Sequence, residues 1–251
     1  MKPTPGSPAY ASLCGHGRRR AAKNLANRIG GTVVGARTAD PVVSVTFDDG
    51  PDPVVTPALL EVLARHEAHA TFFLLGQRAV QYPEIVERIL EEGHEVALHG
   101  DTHLRLSQAT LRQVWSGIRD GRAHLHAVSG TRPKIFRPPY GSMNLRVAAV
   151  ASAHRLRIVG WTATAEDWLD EPAETVAERG LSRLDTGGVL LLHDRYEPRF
   201  SGDPHAVPSF DRADLLDQLL SGIRQRGWRS VTTTELLQRR RPRKVILLWR
   251  W

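Results

Sequence analysis

The pair Asp48-Asp49 closes a run of β-branched and apolar residues and is followed at once by Gly50-Pro51. Adjacent carboxylates repel, and a purely structural turn rarely needs both. A cation that absorbs one charge leaves the other to act as a base; an Asx turn after a strand is the structural alternative. His99 and His103 stand four residues apart. On a helical turn that spacing brings both imidazoles to one side, within reach of a single cation. Two histidines and a carboxylate form a common catalytic zinc set with one position left for water. With 11 histidines in the chain, some such spacings arise by chance, and His66/His69 and His124/His126 read as bystanders on helix faces. His193 follows Leu190-Leu191-Leu192. Alone, a histidine ending a strand is more often structural; its value rises in combination with the others.

Side chains so far apart in sequence need a scaffold that gathers them. From residue 42 onward, short β-rich runs alternate with segments of helical period. Strands are expected at Val42–Phe47, Ala70–Leu75, Glu95–Leu98, Lys134–Phe136, Arg157–Trp161, Gly188–Leu192 and Arg229–Val231. Helices are expected at Pro57–Arg65, Pro83–Glu92, Leu111–Val128, Leu145–Ala153, Thr175–Leu184 and Asp211–Arg226. Repeated β-then-α units favour a parallel sheet, here an α/β fold built as a distorted, incomplete (β/α) barrel of about seven strands. In such folds function collects at the carboxyl ends of strands. Five of the expected strands run toward Asp48-Asp49, His99 to His103, Arg137-Pro138-Pro139-Tyr140-Gly141, Asp167-Trp168 and His193-Asp194. The Pro- and Gly-containing stretch 195–210 is expected to be a loop over this end.

Taken in order, Thr46-Phe47-Asp48-Asp49-Gly50-Pro51, His99-x3-His103, Arg137-Pro138-Pro139-Tyr140-Gly141, Asp167-Trp168 and Leu191-Leu192-His193 resemble the polysaccharide deacetylase family, the NodB-homology or family-4 carbohydrate esterases. The resemblance spans roughly residues 42–238. It implies a distorted (β/α) barrel and a metal-dependent hydrolysis of N-acetyl, sometimes O-acetyl, groups on sugars. Carried over by position, it implies Asp49, His99 and His103 as metal ligands and Asp48 as the general base. It implies His193 as the general acid for the leaving amine, Arg137 as the residue that orients the base, and Tyr140 as a backbone oxyanion donor. Asp167 would tune the acid, while Trp168, Leu191 and Pro139 would wall the acetyl pocket. Zinc is the simplest ion for this donor set, with Co²⁺, Ni²⁺ and Mn²⁺ also compatible.

Two positions depart from the family pattern. Gly100 stands where a Ser or Thr usually follows the first metal histidine, and Thr164 stands where an acid usually precedes Asp167 by three residues. The first departure removes a hydroxyl that supports the loop; the second bears on how the acid is tuned. O-acetyl, formyl and other non-peptide C–N hydrolysis remain alternatives on the same site, and so does a catalytically inactive carbohydrate binder.

The net charge of +7 over 251 residues first suggests a polyanion partner. Its distribution changes that reading. Residues 1–40 carry seven Lys/Arg and one acid, residues 239–251 carry six Lys/Arg and no acid, and residues 41–238 hold 21 bases against 26 acids. An acidic body argues against nucleic acid as the partner. The Pro-rich opening and Arg18-Arg19-Arg20 lack a following apolar stretch of signal-peptide type, so residues 1–41 are expected to form a flexible arm, and a cytoplasmic location is expected. The basic run 239–244 followed by Val245-Ile246-Leu247-Leu248-Trp249-Arg250-Trp251 suits a tail at an anionic membrane surface, or a last element packed on the barrel. The single cysteine, Cys14, excludes an intramolecular disulfide framework.

Overall fold

A computed structural model describes residues 31–195, 208–238 and 241–245. Strand β2 (Val42–Asp48) is buried along its whole length. Alternation divides its side chains between two faces: Val43, Val45 and Phe47 pack toward the helices, whereas Val42 joins a separate inner cluster. Ser44, Thr46 and Asp48 share the parity of Val42 and line the inner face. Beside β2 lie β3 (Ala70–Leu75) and β8 (Val189–His193), both parallel to it. Next to β3 come β4 (Glu95–Gly100), β5 (Ile135–Phe136) and β6 (Arg157–Ile158), while β7 (Ala163–Thr164) extends the sheet beyond β8. The order is β6-β5-β4-β3-β2-β8-β7, parallel throughout, with β9 (Arg229–Ser230) pairing to the start of β2. This is the expected half-closed (β/α) barrel.

The helices α1 (Val55–Arg65), α2 (Gly76–Gln81), α3 (Pro83–Glu91), α4 (Leu111–Ser129), α5 (Leu145–Ala153), α6 (Ala173–Arg183), α7 (Arg212–Gln225) and α8 (Thr233–Gln238) complete the chain order. Helix α4 shows how sequence sets them. Thr110 and Gln113 form a capping box at its start, and Gly130 in the left-handed region (φ 67°) ends it. Between them Val114, Ile118, Gly121 and Leu125 recur at helical spacing and are buried.

The barrel does not close between β6 and β7. Strand β1 (Thr32–Arg37) spans that seam: Gly160 donates to the Val33 carbonyl (2.7 Å) and Ala36 donates to the Gly187 carbonyl (2.8 Å). On its other edge β1 pairs antiparallel with β10 (Arg241–Val245). This corrects the expected arm 1–41. Residues 32–37 are an ordered, largely buried strand, because Val33 and Ala36 plug the inner cluster. The basic run near the C-terminus likewise contributes a strand, with Arg243 paired to Asp185 (2.6 Å). The remainder of the expected arm (1–30), most of the expected loop (196–207) and residues 246–251 of the expected tail lie outside the described residues. The expected strands at 134–136, 157–161 and 229–231 are each only two residues long. Strand β7 and helices α2 and α8 are additional.

Close backbone contact ties α4 to the end of β4. A Cβ on Gly121 would lie 2.7 Å from the Gly100 carbonyl and 2.8 Å from the Asp101 nitrogen, and a Cβ on Gly76 would lie 2.7 Å from the Gly121 Cα. Gly121→Val is therefore expected to destabilise the protein by about 1–3 kcal/mol, measured by urea unfolding. It should also displace the segment that carries His99 and His103. An unchanged midpoint would contradict this packing account.

Candidate active site

The inner parity of the sheet sets the site. Asp48 on β2, His99 on β4 and His193 on β8 all point inward at the carboxyl end, and His193 lies beside Asp48 in the ladder. Alternation alone would send Asp49 outward. Its φ of 81° breaks the alternation, a conformation Asp tolerates better than most residues, and its carboxylate returns to the same site. Asp49 Oδ1 lies 3.2 Å from His99 Nε2 and 3.0 Å from His103 Nε2. Gly100 has φ 116°, where a side chain is strained, and a Cβ there would meet the Thr102 carbonyl at 3.2 Å. The departure at this position thus has a backbone reason.

The Asp49, His99 and His103 donors lie within 4.8 Å of one another. Both Asp49 oxygens are buried with no hydrogen-bond partner despite the short distances to the imidazoles. The lone pairs converge on a common point rather than on each other. Burial alone would raise the Asp49 pKa, but the two histidines outweigh it and hold the carboxylate far below the usual range. A buried, ionised carboxylate flanked by two imidazole nitrogens fits a divalent cation.

Arg137 lies beneath Asp48, fully enclosed. Its Nη1 donates to Asp48 Oδ1 (2.7 Å) and Thr46 Oγ1 (2.9 Å), and its Nη2 donates to the Gly160 carbonyl (3.0 Å). The Phe73 ring covers the guanidinium at 4.1 Å. Burial lowers the Arg137 pKa, and Asp48 works against that shift.

On the neighbouring strand β8, His193 Nδ1 meets Asp167 Oδ1 at 2.8 Å, and the His193 backbone N–H donates to Asp167 Oδ2 (2.8 Å). Arg212, at the start of α7, donates to the same Oδ2 (2.7 Å) and to the His193 carbonyl (3.0 Å). Burial would depress the His193 pKa, yet Asp167 first, then Asp49 and Asp48, raise it to about 9. Asp167 is fixed by its own residues and Arg212, so Thr164 need not be acidic. Thr164 instead accepts the Glu166 N–H (3.1 Å) in the turn that leads to Asp167.

The cavity at this end of the sheet measures about 250 Å³ and includes Asp48, His99, His103, Tyr140, Trp168, Leu191 and His193 in its lining. Pro139 is the exception among the expected pocket residues. It is buried, packed beneath the Gly100 position, and forms no part of the cavity wall. Trp161, Arg105 and Glu166 line the cavity instead. None of these three, nor Arg212 in the first turn of α7, belongs to the five motifs, so none was singled out for the site from sequence. Asp194, adjacent to His193, is fully buried. Its Oδ2 accepts from Thr56 Oγ1 (2.7 Å), and burial with three nearby carboxylates pushes its pKa up to about 7. A Cβ on Gly50 would collide with that carboxylate, which accounts for glycine after the Asp pair.

The polysaccharide deacetylase profile matches residues 35–159. The chain is 34% identical over 200 residues to the chitooligosaccharide deacetylase of Bradyrhizobium sp. (strain ANU 289), covering 79% of this chain and 90% of that protein. This chain belongs to the polysaccharide deacetylase family. It is also 32% identical over 211 residues to the peptidoglycan-N-acetylmuramic acid deacetylase of Bacillus subtilis (strain 168), covering 83% of this chain and 42% of that relative's length. Among solved structures, a peptidoglycan N-acetylglucosamine deacetylase in complex with 4-naphthalen-1-yl-N-oxidanyl-benzamide aligns with a TM-score of 0.73 at 30% identity, covering 84% of this chain and 94% of that one.

The His193–Asp167 pair predicts a measurable titration in this family member. In the chelated protein, NMR should find His193 titrating near pH 9. Because its folded pKa lies above the unfolded value of 6.5, the pair stabilises the fold fully below that value and loses its contribution as pH rises through 9. Asp167→Asn should bring the midpoint down toward that of a free imidazole. An unmoved midpoint would refute the assignment of the shift to Asp167.

Proposed function

We propose that this chain is a metal-dependent hydrolase that removes an N-acetyl group from an amino sugar in a glycan, oligosaccharide or glycolipid, releasing acetate and leaving a free amine. One observation carries the proposal. The Asp48 carboxylate and the His193 imidazole, neighbours across the β2–β8 ladder, line one cavity with His99 and His103, whose donor atoms converge with that of Asp49. When bound, a divalent cation supplies Lewis acidity, making water more acidic and an acetamide carbonyl more electrophilic. Zinc is the simplest choice for the donor set.

Asp48 takes the proton of the attacking water. Arg137 occupies its Oδ1 and leaves Oδ2 for that proton. His193 gives its proton to the sugar nitrogen as the C–N bond breaks, so the amine leaves neutral. The Tyr140 backbone N–H supports the developing oxyanion. Trp168 and Leu191 enclose the acetyl methyl group. An ester leaving group needs less help from an acid than an amide nitrogen does. A histidine whose pKa is raised by its Asp167 partner therefore suits amide hydrolysis better than O-deacetylation.

Arg105 supports a finer reading of the substrate. Its guanidinium lies 4.1 Å over the Tyr140 ring and faces the cavity, and no carboxylate partner for it is present among the described residues. Glu166, on the same cavity, is already engaged by Arg179 and Arg183. A free cation here suits a sugar that carries a carboxylate near its acetamide, as a muramic sugar does. Arg105→Gln should raise KM several-fold for such substrates and leave neutral chitooligosaccharides unchanged; an equal loss on both would rule out a role in charge recognition.

Two substitutions test the roles. Asp48→Asn should retain the metal, measured by elemental analysis, and lose acetate release by about 10²–10⁴-fold. His103→Ala should lose bound metal. Full activity in the first variant, or full metal content in the second, would overturn the corresponding assignment.

A further inference from the structure

The end of the barrel opposite the catalytic cavity carries a second cluster of charge. Helix α4 starts at the catalytic end and runs back along the strands. Its C-terminal half, the loop before β5 and the end of α5 enclose a groove of about 340 Å³. Arg119, Arg122 and His126 of α4, Arg132 of the loop, and His154 at the end of α5 line it, and no acidic residue does.

Several arginines elsewhere among the described residues are paired with acids. Arg65 with Asp217, Arg88 with Glu92, Arg179 with Glu171 and Arg212 with Asp167 are examples. In the groove only Arg119 has such a partner, its neighbour Asp120 (2.8 Å). Three nitrogens, Arg122 Nε, His126 Nδ1 and His154 Nε2, are buried without a hydrogen-bond partner. Trp115 holds the His154 ring at 4.6 Å, which fixes the imidazole. The groups also repel one another: burial, then Arg132, lowers the Arg122 pKa, and burial, then Arg122 and Arg119, lowers that of His154. Charge complementarity to the helix dipole does not explain this arrangement. That effect fades within the last turn, and Arg119 and Arg122 precede the last turn of α4.

We propose that this groove is a binding site for a phosphate group. Guanidiniums bind oxyanions in planar, paired geometry. Guanidiniums and imidazoles converging from three segments match an anion with three or four oxygens better than a carboxylate with two. A bound phosphate would offset the mutual repulsion of these groups.

The test is an NMR titration of the metal-loaded full chain at constant ionic strength, following the His126 and His154 ring signals and the Arg122 Nε–H. Inorganic phosphate should shift all three saturably, whereas chloride should not. Arg122→Gln, and separately the exposed-loop variant Arg132→Gln, should weaken binding at least tenfold. Both should keep full acetate release from a soluble substrate, because the catalytic cavity lies at the other end of the strands. Vesicles of phosphatidylglycerol and of phosphatidylcholine, with glycerol phosphate as competitor, separate the sources. Retention on the anionic vesicles alone, reversed by glycerol phosphate and lost in both variants, assigns the site to a lipid headgroup. Phosphate binding without retention assigns it to a soluble phosphate ester. Shifts matched by chloride, or phosphate binding undiminished in both variants, would overturn the proposal.

Discussion

The enclosed ion pair between Arg137 and Asp48 is the interaction on which the rest of the site depends. A fully buried guanidinium is costly unless its donors and charge are satisfied. Here Asp48, Thr46 and the Val159 and Gly160 carbonyls satisfy it, and Phe73 packs on its face. Removing one partner of such a pair typically costs about 3–5 kcal/mol, so the pair also holds β2, β3 and the segment after β6 in register. The same bond that satisfies the arginine fixes the orientation of the Asp48 carboxylate. Folding and placement of the reactive group are thus one requirement.

Around that pair, strand parity does most of the gathering. Asp48, His99 and His193 arrive together because each is an inward residue at the carboxyl end of a parallel strand. Asp49 and Gly100 are the two places where parity is broken, both through positive φ. At Asp49 the break brings a second carboxylate into the site. At Gly100 it frees the chain to turn back toward His103. His193 then depends on a chain of its own, in which Arg212 holds Asp167 and Asp167 holds the imidazole and raises its pKa.

Much of this was legible in the sequence, for a physical reason. Strands β2, β3, β4 and β8 are long and wholly or mostly buried, and β2, β4 and β8 also run into motifs, so β-rich run and motif reinforced each other there. The two-residue strands β5, β6 and β7 carry too little pattern to delimit. Strand β1 was hidden because Thr32–Arg37 sits beside a basic, Pro-rich opening, and its partner β10 is an arginine-rich edge with hardly a buried residue. Their pairing is visible only once the open seam of the barrel is known. Arg105, Glu166 and Arg212 were illegible because lone charged residues in loops or in the first turn of a helix resemble solvated surface until the fold turns them inward. Pro139 was misplaced because its motif reaches the site through Tyr140, while the proline ring packs behind.

The most direct measurement is to incubate the purified chain with N-acetylated oligosaccharides and quantify acetate and new amine together. It should be done with metal, after chelation, and after divalent ion is restored. The account predicts equal amounts of acetate and amine, abolished by the chelator and recovered with the ion. Acetate released without new amine, or release indifferent to chelation, would contradict it.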